Sequence, residues 1–153
     1  MDKITILREI HPISKKEALF EDHGHSGWLY LTKPDSPVVI SDAWIYNRIP
    51  APDESQITQF KTASPPAIKS YAHTNAEFTP LASDTFEFKW SPDGRSVALL
   101  INSIPFGFIP PGMPRGYSKH LTQTGPWGHD WDEQLYAILF KESGWSESIP
   151  EFF

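Results

Sequence analysis

Residues 85–109, TFEFKWSPDGRSVALLINSIPFGFI, decide the fold. In the first six, Phe86, Phe88 and Trp90 point one way and Thr85, Glu87 and Lys89 the other, the period of a half-buried strand. Ser91-Pro92-Asp93-Gly94 then supplies a turn: proline presets φ at the second position, and glycine after aspartate tolerates a positive φ. Residues 96–102 return as a nearly all-apolar strand, the pattern of a central buried position. Residues 104–109 make one more strand, where Pro105 and Gly107 favour an edge or a bulge. The Pro- and Gly-rich stretch at 110–114 ends the run.

The same signals recur upstream. Residues 4–10 read as a first strand, and WLYLT at 28–32 with VVISDAWIY at 38–46 reads as a hairpin around Pro34-Asp35-Ser36-Pro37. The HGHSG segment at 23–27 reads as a turn. Residues 50–66, with Pro50, Pro52, Pro65 and Pro66, read as a loop, and 67–72 as a short strand. A short helix is expected over 15–20. A better-marked helix is expected over 131–142: Asp130 serves as cap with Glu133 three residues on, Trp131, Leu135, Ile138 and Leu139 share a face, and Gly144 stands at the C-terminal cap. The expected fold is α+β: a mostly antiparallel sheet of about five to seven strands, with the 131–142 helix packed on it, in a single domain over 1–153.

Composition narrows the function. The chain has 153 residues and no cysteine, which excludes disulfide scaffolds, thiol nucleophiles and Cys-ligated metals. Its N-terminus is charged throughout and lacks the apolar core of a signal peptide. Apolar runs such as 97–101 fall far short of the ~18 residues that span a bilayer. A soluble, cytoplasmic protein without membrane association is expected. The net charge is −6, and no basic cluster is present that would neutralise phosphates, so nucleic acid is not an expected partner. Residues 1–76 carry nine acids against eight bases, whereas residues 77–153 carry ten against five. The acidic half suits a basic partner.

Among chemical constellations, His23 and His25 are the one close histidine pair, and with Glu21 and Asp22 they make the dense polar string EDHGH. Gly24 and Gly27 make this a turn, and no third ligand is specified, so neither a metal site nor a cofactor is expected. Asp42 interrupts an apolar strand and is therefore either on a solvent face or buried and paired. No G-x-S-x-G, P-loop or G-x-G-x-x-G string occurs, and no catalytic residue is assigned. The stretch at 113–131 is the most unusual one. It brings Arg115, Tyr117, Trp127, Asp130 and Trp131 together just before Asp132 and Glu133. Arg, Tyr and Trp dominate interface hot spots, so these seven are the expected partner-binding residues, with Glu21, Asp22, His23, His25 and Asp42 as secondary candidates. The three acids near the helix start also have a structural reason to be there, since they oppose the helix dipole.

Two stretches together resemble a known family. LFEDHGHSGWLYL at 19–31 precedes ISDAWIYN at 40–47, and FKWSPDGRSVALLINSIPFGFI at 88–109 precedes RGYSKH at 115–120. They are similar to a family of small bacterial proteins described only as a domain of unknown function, over about half of the chain. The resemblance implies a β-rich core and brings no reaction, cofactor or ligand. Ser26 stands where the family pattern has Thr, and His23 and His25 stand where it is more acidic.

The functional expectation is a non-catalytic binding protein of the immunity type, which neutralises a basic bacterial toxin by occluding its active site. The alternatives are a small-ligand binder or small enzyme with a pocket of His25, Asp42, Arg115 and His120, and an accessory subunit of a larger assembly.

Overall fold

A computed structural model describes residues 4–141. Over these residues the chain forms β1 (Ile4–Ile10), β2 (Glu17–Asp22), β3 (Ser26–Thr32) and β4 (Val39–Asn47). A 3₁₀ helix (Glu54–Gln59) follows, then β5 (Phe86–Trp90), β6 (Val97–Ile101), β7 (Ile104–Ile109), β8 (Tyr117–Ser118), β9 (His129–Asp130) and α1 (Glu133–Leu139). The first sheet has the order β1-β2-β3-β4 and the second β5-β6-β7-β8-β9. Every pairing is antiparallel except the two-residue β8–β9 contact. The fold is thus α+β and mostly antiparallel, with a C-terminal helix. Seven strands have five or more residues, and two have only two.

The expected turn at Ser91-Pro92-Asp93-Gly94 forms. At 91–96, the Asp93 carboxylate accepts from the Ser91 hydroxyl and the Arg95 N–H, while Gly94 takes φ 72°. The β6–β7 turn consists of Asn102 and Ser103, both at positive φ (53° and 67°), as a two-residue hairpin on right-twisted strands requires.

Several expectations are corrected. Residues 17–20 belong to β2, not to a helix. Their alternation of Ala18 and Phe20 (buried) with Glu17 and Leu19 has period two, and pairing with both β1 and β3 overrides any local helical preference. Residues 67–72 make turns and one isolated bridge, Ala72 to Leu121, rather than a strand. The loop over 50–66 contains the 3₁₀ helix, which Asp53 and Gln56 cap reciprocally. The helix cap is Asp132, whose side chain accepts from the Leu135 N–H at 3.0 Å; Asp130 pairs in β9 instead. The helix is shorter than expected, and Ile138 on it is 70% exposed. Gly144 lies outside the described residues.

Three apolar layers hold the fold. Between the sheets lie Phe20, Leu29, Leu31 and Ile45 from the first, against Leu99 and Ile109 from the second. On the far side of the first sheet, Trp28 and Trp44 are covered by the chain at 67–76 and by Leu121 and Trp127. On the far side of the second sheet, Phe108 packs against Trp131, Tyr136 and Phe140, which seats α1. Full burial of each such side chain stabilises by about 1.5–3 kcal/mol.

The sheets meet along one seam. The Asp42 N–H donates to Pro114 O (3.1 Å), and the Gly116 N–H donates to Asp42 O (2.8 Å). A Cβ at Gly116 would collide with Phe108 O and with the Ala43 Cβ, so only glycine lets the strands approach this closely. At the opposite edges, the Trp90 indole N–H donates to Glu9.

Candidate functional site

Because α1 covers one outer face and the 50–76 segment part of the other, one stretch of outer β surface stays open. It is built by register. Arg8 pairs with Leu19, Leu19 with Tyr30, and Tyr30 with Asp42, which is bridged in turn to Arg115. These side chains alternate with the inward-facing Ala18, Phe20, Leu29 and Ala43, so they share the outer face. Glu17 and Glu21 flank the row on β2. A cleft of about 270 Å³ opens here, lined by Arg8, Glu17, Leu19, Glu21, Tyr30 and Val39, with Pro37 at its end. Beside it, Val38, Val39 and Ile40 are 51%, 46% and 39% exposed.

Charges on this face are organised in pairs. Arg8 contacts Glu17 through Nε (2.8 Å) and Nη2 (2.7 Å), and Arg115 meets Asp42 at 3.1 Å. Burial pushes the Asp42 carboxyl up, and Arg115 opposes that shift. Glu21 is 8% exposed and lies 3.7 Å from His23 Nε2. His23 Nε2 is 3.0 Å from the Tyr30 hydroxyl, which is 2.6 Å from Ser64 Oγ. This chain ties the 62–67 segment to the sheet. It is not arranged for nucleophilic attack: burial pushes the Tyr30 phenol up to about 12, and Glu21 and Asp42 push the same way, so the hydroxyl stays protonated at neutral pH. Among the described residues, no three His, Asp or Glu side chains are placed to hold a metal ion.

The structure thus joins Glu21, His23, Asp42 and Arg115 on one face and separates the other candidates. Asp22, next to Glu21, points inward to Tyr46 and Arg48. His25 turns to Phe60, ring centroids 5.1 Å apart, so the two histidines do not converge. Tyr117 is stacked between Phe108 and His129 (5.0 and 4.7 Å). Trp127 is 7% exposed, its indole N–H donates to Pro65 O, and it packs in the layer over Trp28 and Trp44. Asp130 accepts from the Thr124 hydroxyl, Asp132 caps α1, and Glu133 accepts from the Trp131 indole, under whose ring Lys119 Nζ sits at 4.3 Å. Each of these acids has a local structural partner. Nor do His25, Asp42, Arg115 and His120 line a common pocket: His120 packs on Phe106 (5.1 Å) beside His73.

Sequence reasoning missed Arg8, Glu17, Leu19 and Tyr30. A hairpin count around the 33–38 turn would have brought Tyr30 within one residue of Asp42; the bulge near Thr32 supplies the difference. Glu17 and Leu19 were hidden by the helix expected over 15–20.

Two half-buried histidines give this protein an acid limit. Burial lowers the His120 pKa, with His73 and Lys119 adding to it, and burial lowers that of His25, with His23 adding and Asp22 opposing. The unfolded chain then binds these protons at a higher pH than the folded one. Their stability contribution is complete above about 6.5 and is lost as pH falls toward the folded values. Thermal melts at pH 7.5, 6.5 and 5.5 should show a falling Tm, and His120→Gln should flatten the fall. A Tm constant across that range would contradict the assignment.

Compared with protein-family models, with curated proteins and with solved structures, the chain shows no match.

Proposed function

We propose that the protein is a non-catalytic binding protein of the immunity type, which neutralises a basic bacterial toxin domain in the cytoplasm by covering its active site. The observation that supports this reading is the open face of the first sheet. There the exposed Val38-Val39-Ile40 strip adjoins a cleft walled by Glu17 and Glu21, while the chain at 67–76 with Leu121 and Trp127 covers the Trp28 and Trp44 part of that face and α1 packs over Phe108 of the second sheet. An apolar strip edged by carboxylates suits a protein surface that presents cations between apolar groups. No titratable group described on the face is poised for covalent or acid–base work; they are engaged in pairs and in the Tyr30 chain.

The test is co-expression with the product of each gene that flanks this one. Growth should be restored against one of them, and the purified mixture should form a 1:1 complex whose association slows as salt rises. If neither product is toxic, and neither binds, the reading is wrong.

A further inference from the structure

We propose that a pocket between the end of β4 and the 48–85 connection binds a small zwitterion, whose carboxylate meets Lys69 and His73 and whose ammonium meets Glu77. The pocket measures about 410 Å³, within the range of small-molecule sites (~300–1,000 Å³). It shares no residue with the open cleft of the first sheet, so it goes beyond the reading of that face. Ala51, Ala72 and Ala76 give it apolar surface, and Lys69, His73, Thr74 and Glu77 give it polar groups. The frame is set before any ligand arrives. The Ala72 N–H donates to Ile68 O (2.9 Å), closing a single helical turn that carries Lys69. The Ala76 N–H donates to His73 O (3.0 Å), and the Asn47 N–H donates to Ala76 O (3.0 Å), which ties this lining to β4. A site fixed in this way loses little further freedom on binding.

The lining sets the charge pattern of the guest. His73 Nδ1 accepts from the Asn75 N–H at 3.1 Å, so the neutral ring carries its proton on Nε2 and donates from there. Lys69 Nζ lies 3.2 Å from Asp53 Oδ1, but an ammonium has three donors and Asp53 takes one. Those two side chains are 67% and 58% exposed, and so exposed a pair holds its partners only weakly. Thr74 adds a hydroxyl to the same lining. A carboxylate accepts from all three of these groups. Glu77 is an exposed acid on the same pocket, so it attracts an ammonium and repels a second acid. The pocket thus presents one full charge of each sign, which favours a guest with both over a plain anion or a plain cation.

The test is an NMR titration of the full chain with alanyl-alanine, against its N-acetyl form and its C-terminal amide, which each lack one charge. Alanyl-alanine should shift the Ala72, Thr74, Ala76 and Glu77 amides saturably. Each capped form should bind about tenfold more weakly, the value of a charge-assisted bond. Free alanine, titrated in parallel, distinguishes an amino acid from a peptide as the source of the zwitterion, and saturable binding of either at these amides supports the site. Lys69→Met should erase the preference for the free carboxylate, and Glu77→Gln the preference for the free ammonium. Both positions are exposed, so both variants should keep the Tm of the unmodified protein. Absence of a saturable shift with either zwitterion overturns the proposal. So does equal binding of the free and capped forms, or a preference that survives the matching substitution.

Discussion

Replacing Asn47 by alanine is expected to destabilise the protein by about 3–5 kcal/mol, the sum of several buried polar groups left unpaired at ~1–3 kcal/mol each. Asn47 is 1% exposed at the end of β4. Its Oδ1 accepts from the Trp44 indole at 3.0 Å and from the Ala67 N–H at 2.9 Å, and its Nδ2 donates to Ala67 O at 2.9 Å. Its backbone adds bonds to Ala76 and Phe78. The side chain thus pins the long 48–85 connection to the first sheet at Ala67, the backbone pins it at Ala76 and Phe78, and together they complete the layer over Trp28 and Trp44. Alanine would keep the backbone bonds and strand the indole and both Ala67 groups away from water. Asn47→Asp would keep two bonds but turn a carboxylate against the Ala67 carbonyl, so it should also destabilise. Urea unfolding measures both. Since whole domains are stable by only ~5–15 kcal/mol, the alanine variant should sit near its unfolding midpoint at modest denaturant. A loss below about 1 kcal/mol would show that the connection holds by its apolar contacts alone.

Asp22→Ala should cost about 3 kcal/mol, at the lower end for breaking a buried ion pair. The Asp22 carboxylate is 3% exposed and accepts from the Tyr46 hydroxyl (2.7 Å), from Arg48 Nη1 (3.0 Å to each oxygen) and from the Gly24 N–H (2.7 Å). Without it, the Tyr46 hydroxyl loses its acceptor within the core, whereas Arg48, with a side chain 31% exposed, can turn to water. That difference sets the lower figure. The variant separates structure from function at adjacent residues: Asp22 and Glu21 point to opposite faces of β2. Asp22→Ala should therefore weaken unfolding stability and leave neutralisation of the partner unchanged where the variant is folded. Lost neutralisation by a folded Asp22→Ala protein would contradict the division of the strand into a structural and a binding face.

Much of this architecture is legible from local chemistry. The TFEFKW alternation, the SPDG turn and the apolar strand after it need only neighbouring residues, and they lie where periodicity puts them. The Trp28 and Trp44 strands are equally plain. What local chemistry cannot show is which face a third element will cover. Residues 15–20 look helical until pairing with β1 and β3 is counted, and that pairing is non-local. Trp127 looked like an interface anchor because it sits in a polar, Gly-rich stretch; its partner, the Pro65 carbonyl, is 62 residues away. The candidate site was half visible. Glu21, His23, Asp42 and Arg115 were named as residues, yet only the register across four strands sets them on one surface with Arg8, Leu19 and Tyr30. Asp130, Asp132 and Glu133 serve a hydroxyl, a helix cap and an indole, while the open cleft belongs to the nearly neutral first half.

The central claim is that the open face of the first sheet is the surface by which this protein neutralises a basic partner. Growth rescue by the Val39→Lys protein, co-expressed with the toxic flanking gene product, tests it most directly. Val39→Lys should fold with an unchanged Tm and fail to rescue, because it puts a cation at the centre of the proposed contact. Rescue equal to that of the unmodified protein, with the variant folded, would place the binding surface elsewhere and contradict the account.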